Sequence, residues 1–111
     1  MINLNKIKMT VIETAENGVV NEDTIFDFTQ KDNYVEANYF GGKIKNGFLV
    51  GLIKENIFEF SYCQLQTDGI LDNGISCSEL VISSEGKIRL IEHFEWKSRP
   101  GEYGVNIFEE V

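Results

Sequence analysis

Proline is almost missing from this chain, one residue in 111, and histidine and tryptophan also occur once each, with two cysteines. Each scarcity excludes something. Pro100 falls between apolar segments, so no candidate strand is burdened with a residue that cannot donate to a ladder. His93 is the lone histidine, and with only scattered serines and cysteines around it a nucleophilic triad has no base and nucleophile brought within reach. Cys63 and Cys77, without a histidine cluster, do not make a metal site; neither a metal nor another cofactor is expected. Basic residues are outnumbered 10 to 18, giving a formal net charge of -8. That balance excludes nucleic acid as a partner, because affinity for a phosphate backbone comes largely from Lys and Arg replacing condensed counterions, and it disfavours an anionic membrane surface for the same reason.

Long apolar runs are missing too. No stretch approaches the roughly 20 apolar residues of a membrane span. The segment from Met1 to Met9 carries Lys6 and Lys8 but leads into no apolar run long enough for a signal peptide, so a soluble cytoplasmic protein is expected. No loop has the alternating acidic spacing of a calcium site, and Gly41-Gly42 opens no helix that could cradle a phosphate. Sustained helical periodicity is absent throughout.

What the chain does have is turn-forming pairs at near-regular intervals: Asn17-Gly18, Asp32-Asn33, Gly41-Gly42, Glu55-Asn56, Asp68-Gly69, Glu85-Gly86 and Pro100-Gly101. Between them lie segments rich in Ile, Val, Phe, Tyr and Thr, the pattern of an antiparallel meander. Eight strands are predicted: Lys6 to Thr14, Val19 to Gln30, Tyr34 to Phe40, Lys43 to Lys54, Ile57 to Gln66, Ile70 to Ser83, Lys87 to Lys97 and Tyr103 to Glu110. Loops this short join only antiparallel neighbours. The length and the 42% hydrophobic content fit one domain over residues 1–111.

Alternation marks the buried faces. In the seventh segment Leu90, Phe94 and Trp96 share a face with Glu92, and His93 points the other way. The fifth aligns Phe58, Phe60, Tyr62 and Gln64, the first Ile7, Met9 and Val11, and the second Phe26 and Phe28. The fourth is ambiguous: Phe48, Val50 and Leu52 oppose Leu49, Gly51 and Ile53, so either both faces are covered or a bulge near Gly47 swaps them. A two-residue loop at Asp68-Gly69 would set Cys63 opposite Gly74 and Cys77 opposite Phe60 on the other face, which leaves two reduced thiols. Eight one-sided strands leave two bare edges unless the sheet closes on itself. The expected fold is therefore all-β, an up-and-down antiparallel meander rolled into a closed or nearly closed barrel, with Gly47, Gly51 and Gly74 as bend points.

A barrel of this size either fills with side chains or holds one small ligand. Glu92 is the pointed anomaly, a carboxylate on an apolar face that must find a donor or stay protonated. One reading makes it a structural carboxylate. The other makes Glu92, with Tyr62, Gln64 and Trp96, the polar floor of a cavity lined by Phe58, Phe60, Leu90 and Phe94, accepting a small amphipathic molecule. In the alternative the interior is solid and the two-sided fourth strand pairs with another subunit, as a homodimer or interaction module. An enzyme would have to start from Glu92 with Tyr62.

The run Tyr39-Phe40-Gly41-Gly42-Lys43-Ile44-Lys45-Asn46-Gly47-Phe48-Leu49-Val50-Gly51, followed by Phe60-Ser61-Tyr62, Gly74-Ile75-Ser76-Cys77-Ser78 and Arg89-Leu90-Ile91-Glu92 with Trp96, resembles a family of small bacterial proteins of about this length. Some of its members are labelled N-acetylglutamate synthase. The chain departs from that pattern at Phe94, where a second tryptophan is common, and at Ile91, where a histidine is common. Acetyl transfer from acetyl-CoA in the usual N-acetyltransferase fold needs a larger mixed domain with a Gly-rich loop at a helix N-terminus, and the sequence offers neither, so that activity is not expected. The architecture is similar to calycin-type barrels, the lipocalin and avidin kind, as an analogy of form rather than of motif.

Overall fold

The computed structural model describes residues 2–111. Eight antiparallel strands follow one another: β1 (Lys8–Glu13), β2 (Ile25–Lys31), β3 (Tyr34–Gly41), β4 (Ile44–Lys54), β5 (Ile57–Gln66), β6 (Leu71–Ile82), β7 (Ile88–Trp96) and β8 (Tyr103–Glu110). Each pairs with the next, and β8 returns to β1 through Met9 opposite Glu110 and Val11 opposite Phe108, so the barrel is closed. The described residues form no helix, and none long and apolar enough to cross a membrane. Tight hairpins carry the meander. Glu55 and Asn56 both take positive φ, 52° and 65°, as the two central residues of a turn whose twist matches its strands must.

The period-two pattern sorts the side chains. Along β5 and β7 every second residue is buried, which turns Phe58, Phe60, Tyr62 and Gln64, and Leu90, Glu92, Phe94 and Trp96, into the interior. The expected bend glycines acquire a second role. Gly47 pairs across the ladder with Tyr39, Gly51 with Phe60, Gly74 with Tyr62 and Gly104 with Phe94. At Gly47, Gly74 and Gly104 a methyl group would overlap the neighbouring aromatic side chain, and at Gly51 it would run into the backbone of Glu59 and Phe60. Three large side chains thus lie over residues without one, which fills a narrow interior.

Two local readings are corrected, and one left open in the sequence is settled. Residues 19–24, predicted as the start of β2, are loop. Asn21 accepts the Asp23 amide at 2.9 Å through its side chain, and the Thr24 hydroxyl accepts from the Asn21 amide at 3.1 Å and donates to the Gly41 carbonyl at 3.1 Å. These short polar side chains offer the backbone an alternative to the ladder, and they win over the β-branched Val19-Val20. The β5–β6 hairpin has a three-residue loop, Thr67-Asp68-Gly69, with Gly69 at φ 87° and the Gly69 amide donating to the Gln66 carbonyl at 2.9 Å. The extra residue slips the register by one. Cys63 pairs with Asn73 and Cys77 with Glu59, so both thiols stand free on the outer face rather than on opposite faces. In β4 an irregularity between Ile44 and Asn46 swaps the faces, sending Leu49 and Ile53 inward and leaving Phe48, Val50 and Leu52 on the outside.

The barrel's two ends differ. At the end near the N-terminus, Leu4 is fully buried against a core that includes Met9, Phe28, Val35, Phe58, Leu80 and Leu90. The segment is held by the Leu4 amide donating to Gln30 Oε1 at 2.9 Å and the Lys6 amide donating to the Phe28 carbonyl at 3.0 Å. The opposite end, here called the mouth, is covered by the β1–β2 loop.

Candidate functional site

β5, β7 and β8 bring Gln64, Glu92 and Asn106 to one cavity, and β6 adds Ser76 beside Glu92. Glu92 is buried and accepts two hydrogen bonds, from the Ser76 hydroxyl at 2.6 Å and from Asn106 Nδ2 at 3.0 Å. Burial pushes its carboxyl above the ordinary glutamate range, and those two donors only partly oppose the shift. Beside it the Tyr39 hydroxyl donates to Gln64 Oε1 at 2.8 Å. That bond orients the amide so that Gln64 Nε2 is left over. Gln64 Nε2 and the Tyr62 hydroxyl are both buried and find no partner among the described residues. Burial, reinforced by the nearby Glu92 carboxylate, raises the pKa of both tyrosines far above the usual phenol range, so each keeps its proton and remains a donor.

An aromatic wall completes the space. Trp96 meets Tyr62 edge to face at 5.6 Å and 74°, and Phe94 at 5.6 Å and 69°. Phe60, Tyr62, Gln64, Glu92, Phe94 and Trp96 all line one cavity, whereas Phe58 and Leu90, also expected in its lining, belong to the core and not to that lining. The free space they leave is about 20 Å³, room for about one water molecule. The interior is thus close to filled.

The roof is the β1–β2 loop, which closes the cavity with Val19 and Val20. It is pinned by polar contacts to distant strands: the Trp96 indole donates to the Asn17 carbonyl at 3.2 Å, the Ala15 amide to Asn106 Oδ1 at 2.8 Å, and Asn17 Nδ2 to the Tyr103 carbonyl at 3.3 Å. Asn106 therefore bridges roof and floor, one end of its amide on Ala15 and the other on Glu92. A model of the avidin-like protein family matches residues 2–111. The chain belongs to the avidin-like family. Neither the curated proteins nor the solved structures gave a match.

At the rim of this avidin-like barrel a second polar group stands apart from the cavity. Asp72, 4% exposed, accepts from Arg99 Nη2 at 2.6 Å, from Gln66 Nε2 at 2.6 Å and from the Ser98 hydroxyl at 2.7 Å. Burial alone would raise its pKa, but these three donors outweigh it and hold the carboxyl below the ordinary range. Arg99 also lies 4.6 Å over the Trp96 ring. His93 is outside the barrel, with Nε2 at 3.4 Å from Glu79 Oε1.

Sequence reasoning passed over Asn106, Ser76, Tyr39 and the roof. Asn106 carried a usable signal, since alternation along β8 puts it on one face with Phe108. The roof carried none, because residues 14–24 reach the cavity only through contacts made far away in the chain.

Proposed function

We propose that the avidin-like barrel binds a small amphipathic molecule between the mouth loop and the Glu92 floor. The observation that carries this reading is the pair of unpartnered buried donors, Tyr62 O–H and Gln64 Nε2, at the edge of a cavity beside a buried carboxylate. Leaving such groups unpaired costs about 1–3 kcal/mol each, so a ligand acceptor oxygen that satisfies them gains what the empty barrel forgoes. Phe60, Phe94 and Trp96 offer the apolar wall for the rest of the molecule. Because the closed cavity admits about one water, anything larger enters only when Asn17 to Val20 lift. The hydrogen bonds that pin the roof are the kind that exchange readily for water, which makes this loop the movable part.

The test is a thermal-shift panel of metabolites and fatty acids read together with Trp96 fluorescence, alongside native mass spectrometry of freshly purified protein. A binder raises Tm and quenches the single tryptophan, and Tyr62→Phe or Glu92→Gln weakens it by about tenfold while the variant stays folded. If no compound moves either signal and the protein flies at its bare mass, the proposal is wrong.

A further inference from the structure

Three Asn-Gly pairs occur in the chain, Asn17-Gly18, Asn46-Gly47 and Asn73-Gly74. Asparagine before glycine is prone to lose its side-chain amide, because a residue without a Cβ leaves its backbone nitrogen free to approach the asparagine side-chain carbonyl. Two of the pairs are locked. Asn46-Gly47 lies in β4 and Asn73-Gly74 in β6, and both glycines are paired with a neighbouring strand on each side. An extended strand stands the asparagine side chain out from the sheet, turned away from the next nitrogen. Asn17-Gly18 is different. It lies outside any strand, in a turn of the β1–β2 loop closed by the Gly18 amide donating to the Ala15 carbonyl at 2.9 Å. A rim groove of about 460 Å³, lined by Asn17, Gly18, Lys43, Asp68 and Arg99 among others, brings solvent to it. The structure also shows why glycine occupies position 18. A methyl group there would stand 3.0 Å from Asn106 Oδ1 and 3.1 Å from the Ala15 carbonyl oxygen, the two acceptors on which this part of the roof is seated.

We infer that Asn17 is a site of spontaneous modification, which loses its amide when the roof lifts and thereafter keeps the mouth from closing. This needs the same loop to move as binding does, but it needs no ligand. While the loop is seated, the Gly18 amide is engaged by Ala15, and Asn17 Nδ2 by the Tyr103 carbonyl at 3.3 Å. Once it lifts, the Gly18 nitrogen gives its proton to water and attacks Asn17 Cγ. The Cγ–Nδ2 bond breaks, the side-chain nitrogen takes a proton from water and leaves as ammonia, and a succinimide ring remains. Water then opens the ring. Addition at Cγ gives aspartate, and addition at the main-chain carbonyl gives isoaspartate, with the backbone rerouted through the side chain. Either product spoils the pins. Aspartate sets a carboxylate oxygen against the Tyr103 carbonyl in place of the Nδ2 donor. Isoaspartate turns the carbonyl that receives the Trp96 indole into a free carboxylate on a longer backbone. Both add a negative charge to a chain already at -8. The glycine that lets the roof seat on Asn106 is thus also what makes the roof wear out.

The test is to age the native protein at mildly alkaline pH and follow it by peptide mass mapping and an isoaspartate methyl-transfer assay. Asn17 exchanges NH for O about tenfold faster than Asn46 or Asn73, or more, because lifting a loop costs less than unpairing the barrel. Trp96→Phe, which removes one pin, speeds conversion at Asn17 by about fivefold. The aged form, separated on anion exchange by its added charge, lets acrylamide quench Trp96 more strongly than the fresh form does. In Asn17→Gln, whose longer side chain does not close a five-membered ring, quenching stays constant with age. A native chain that keeps the Asn17 amide over a period in which the urea-unfolded chain loses it overturns the inference. So do equal rates at all three Asn-Gly pairs, or an aged form whose Trp96 is as shielded as the fresh one's.

Discussion

The two ends of the barrel are shut by different chemistry, and the contrast separates what holds this protein together from what it can use. The N-terminal end is plugged by Leu4 on a core of Met9, Phe28, Val35, Phe58, Leu80 and Leu90, contacts that water cannot replace. The mouth is covered by a loop whose pins are hydrogen bonds, Trp96 to Asn17, Ala15 to Asn106 and Asn17 to Tyr103, each of which water or a ligand can take over. A hydrophobic plug resists opening because opening exposes apolar surface. The roof also buries Val20, with Ala15 and Val19 packed beside it, but its hydrogen bonds trade one partner for another, so it opens at less cost than the plug.

The comparison breaks most directly at the plug. Leu4→Ala removes a fully buried side chain and costs about 2–5 kcal/mol in urea unfolding, with the whole barrel losing stability together. If that variant unfolds no more easily than the native chain, the N-terminal segment is not part of the core and the contrast fails. Trp96→Phe, which removes the indole donor to Asn17, has the next largest effect, about 1–2 kcal/mol. Its sharper signature is local. In native-state hydrogen exchange the amides of Ala15 and Gly18, which bond to Asn106 Oδ1 and the Ala15 carbonyl, speed up while the Lys6 amide, bonded to Phe28, does not. Equal acceleration at both ends would mean that the roof opens only when the barrel unfolds.

The smallest effect is a change of slope. Glu92 has its folded pKa raised above its unfolded value, so the stability it contributes is fully present below about pH 4.3, the ordinary glutamate pKa, and is lost as pH rises through the folded pKa. Asp72 on the rim works the other way. Its folded pKa is depressed, so its contribution is present above about pH 3.9 and lost as pH falls through the folded value. Glu92→Gln should therefore remove a decline in stability on the alkaline side of the glutamate range, and Asp72→Asn should remove one on the acid side. Tm measured against pH for both variants checks the pair, and a Glu92→Gln curve parallel to that of the native protein would show that the interior carboxyl is not perturbed.

Much of the architecture was legible along the chain because a strand announces itself locally. Alternation in β5 and β7 was enough to turn Phe60, Tyr62 and Gln64 and then Glu92, Phe94 and Trp96 inward, and short connections forced the meander. What the sequence misread or left open clusters where one residue decides. Whether the β5–β6 loop has two residues or three moves Cys63 from Gly74 to Asn73, and the irregularity after Ile44 inverts a strand that is apolar on both sides. Val19-Val20 looked like strand because β-branched residues favour one, while the Asn21 and Thr24 side chains that stop it depend on a Gly41 carbonyl supplied from another hairpin.

From its order of residues alone this chain determines that it makes eight short strands, that they pair with their neighbours, and which side chains share a face, since all of that follows from a period of two and from turns spanning a few positions. Closure of β8 on β1, the seating of the mouth loop and the pairing of some buried polar atoms but not others were decided only in three dimensions. Ala15 bonds to Asn106 across 91 positions and Trp96 to Asn17 across 79, and no local pattern encodes contacts whose partners meet only after the sheet has rolled up.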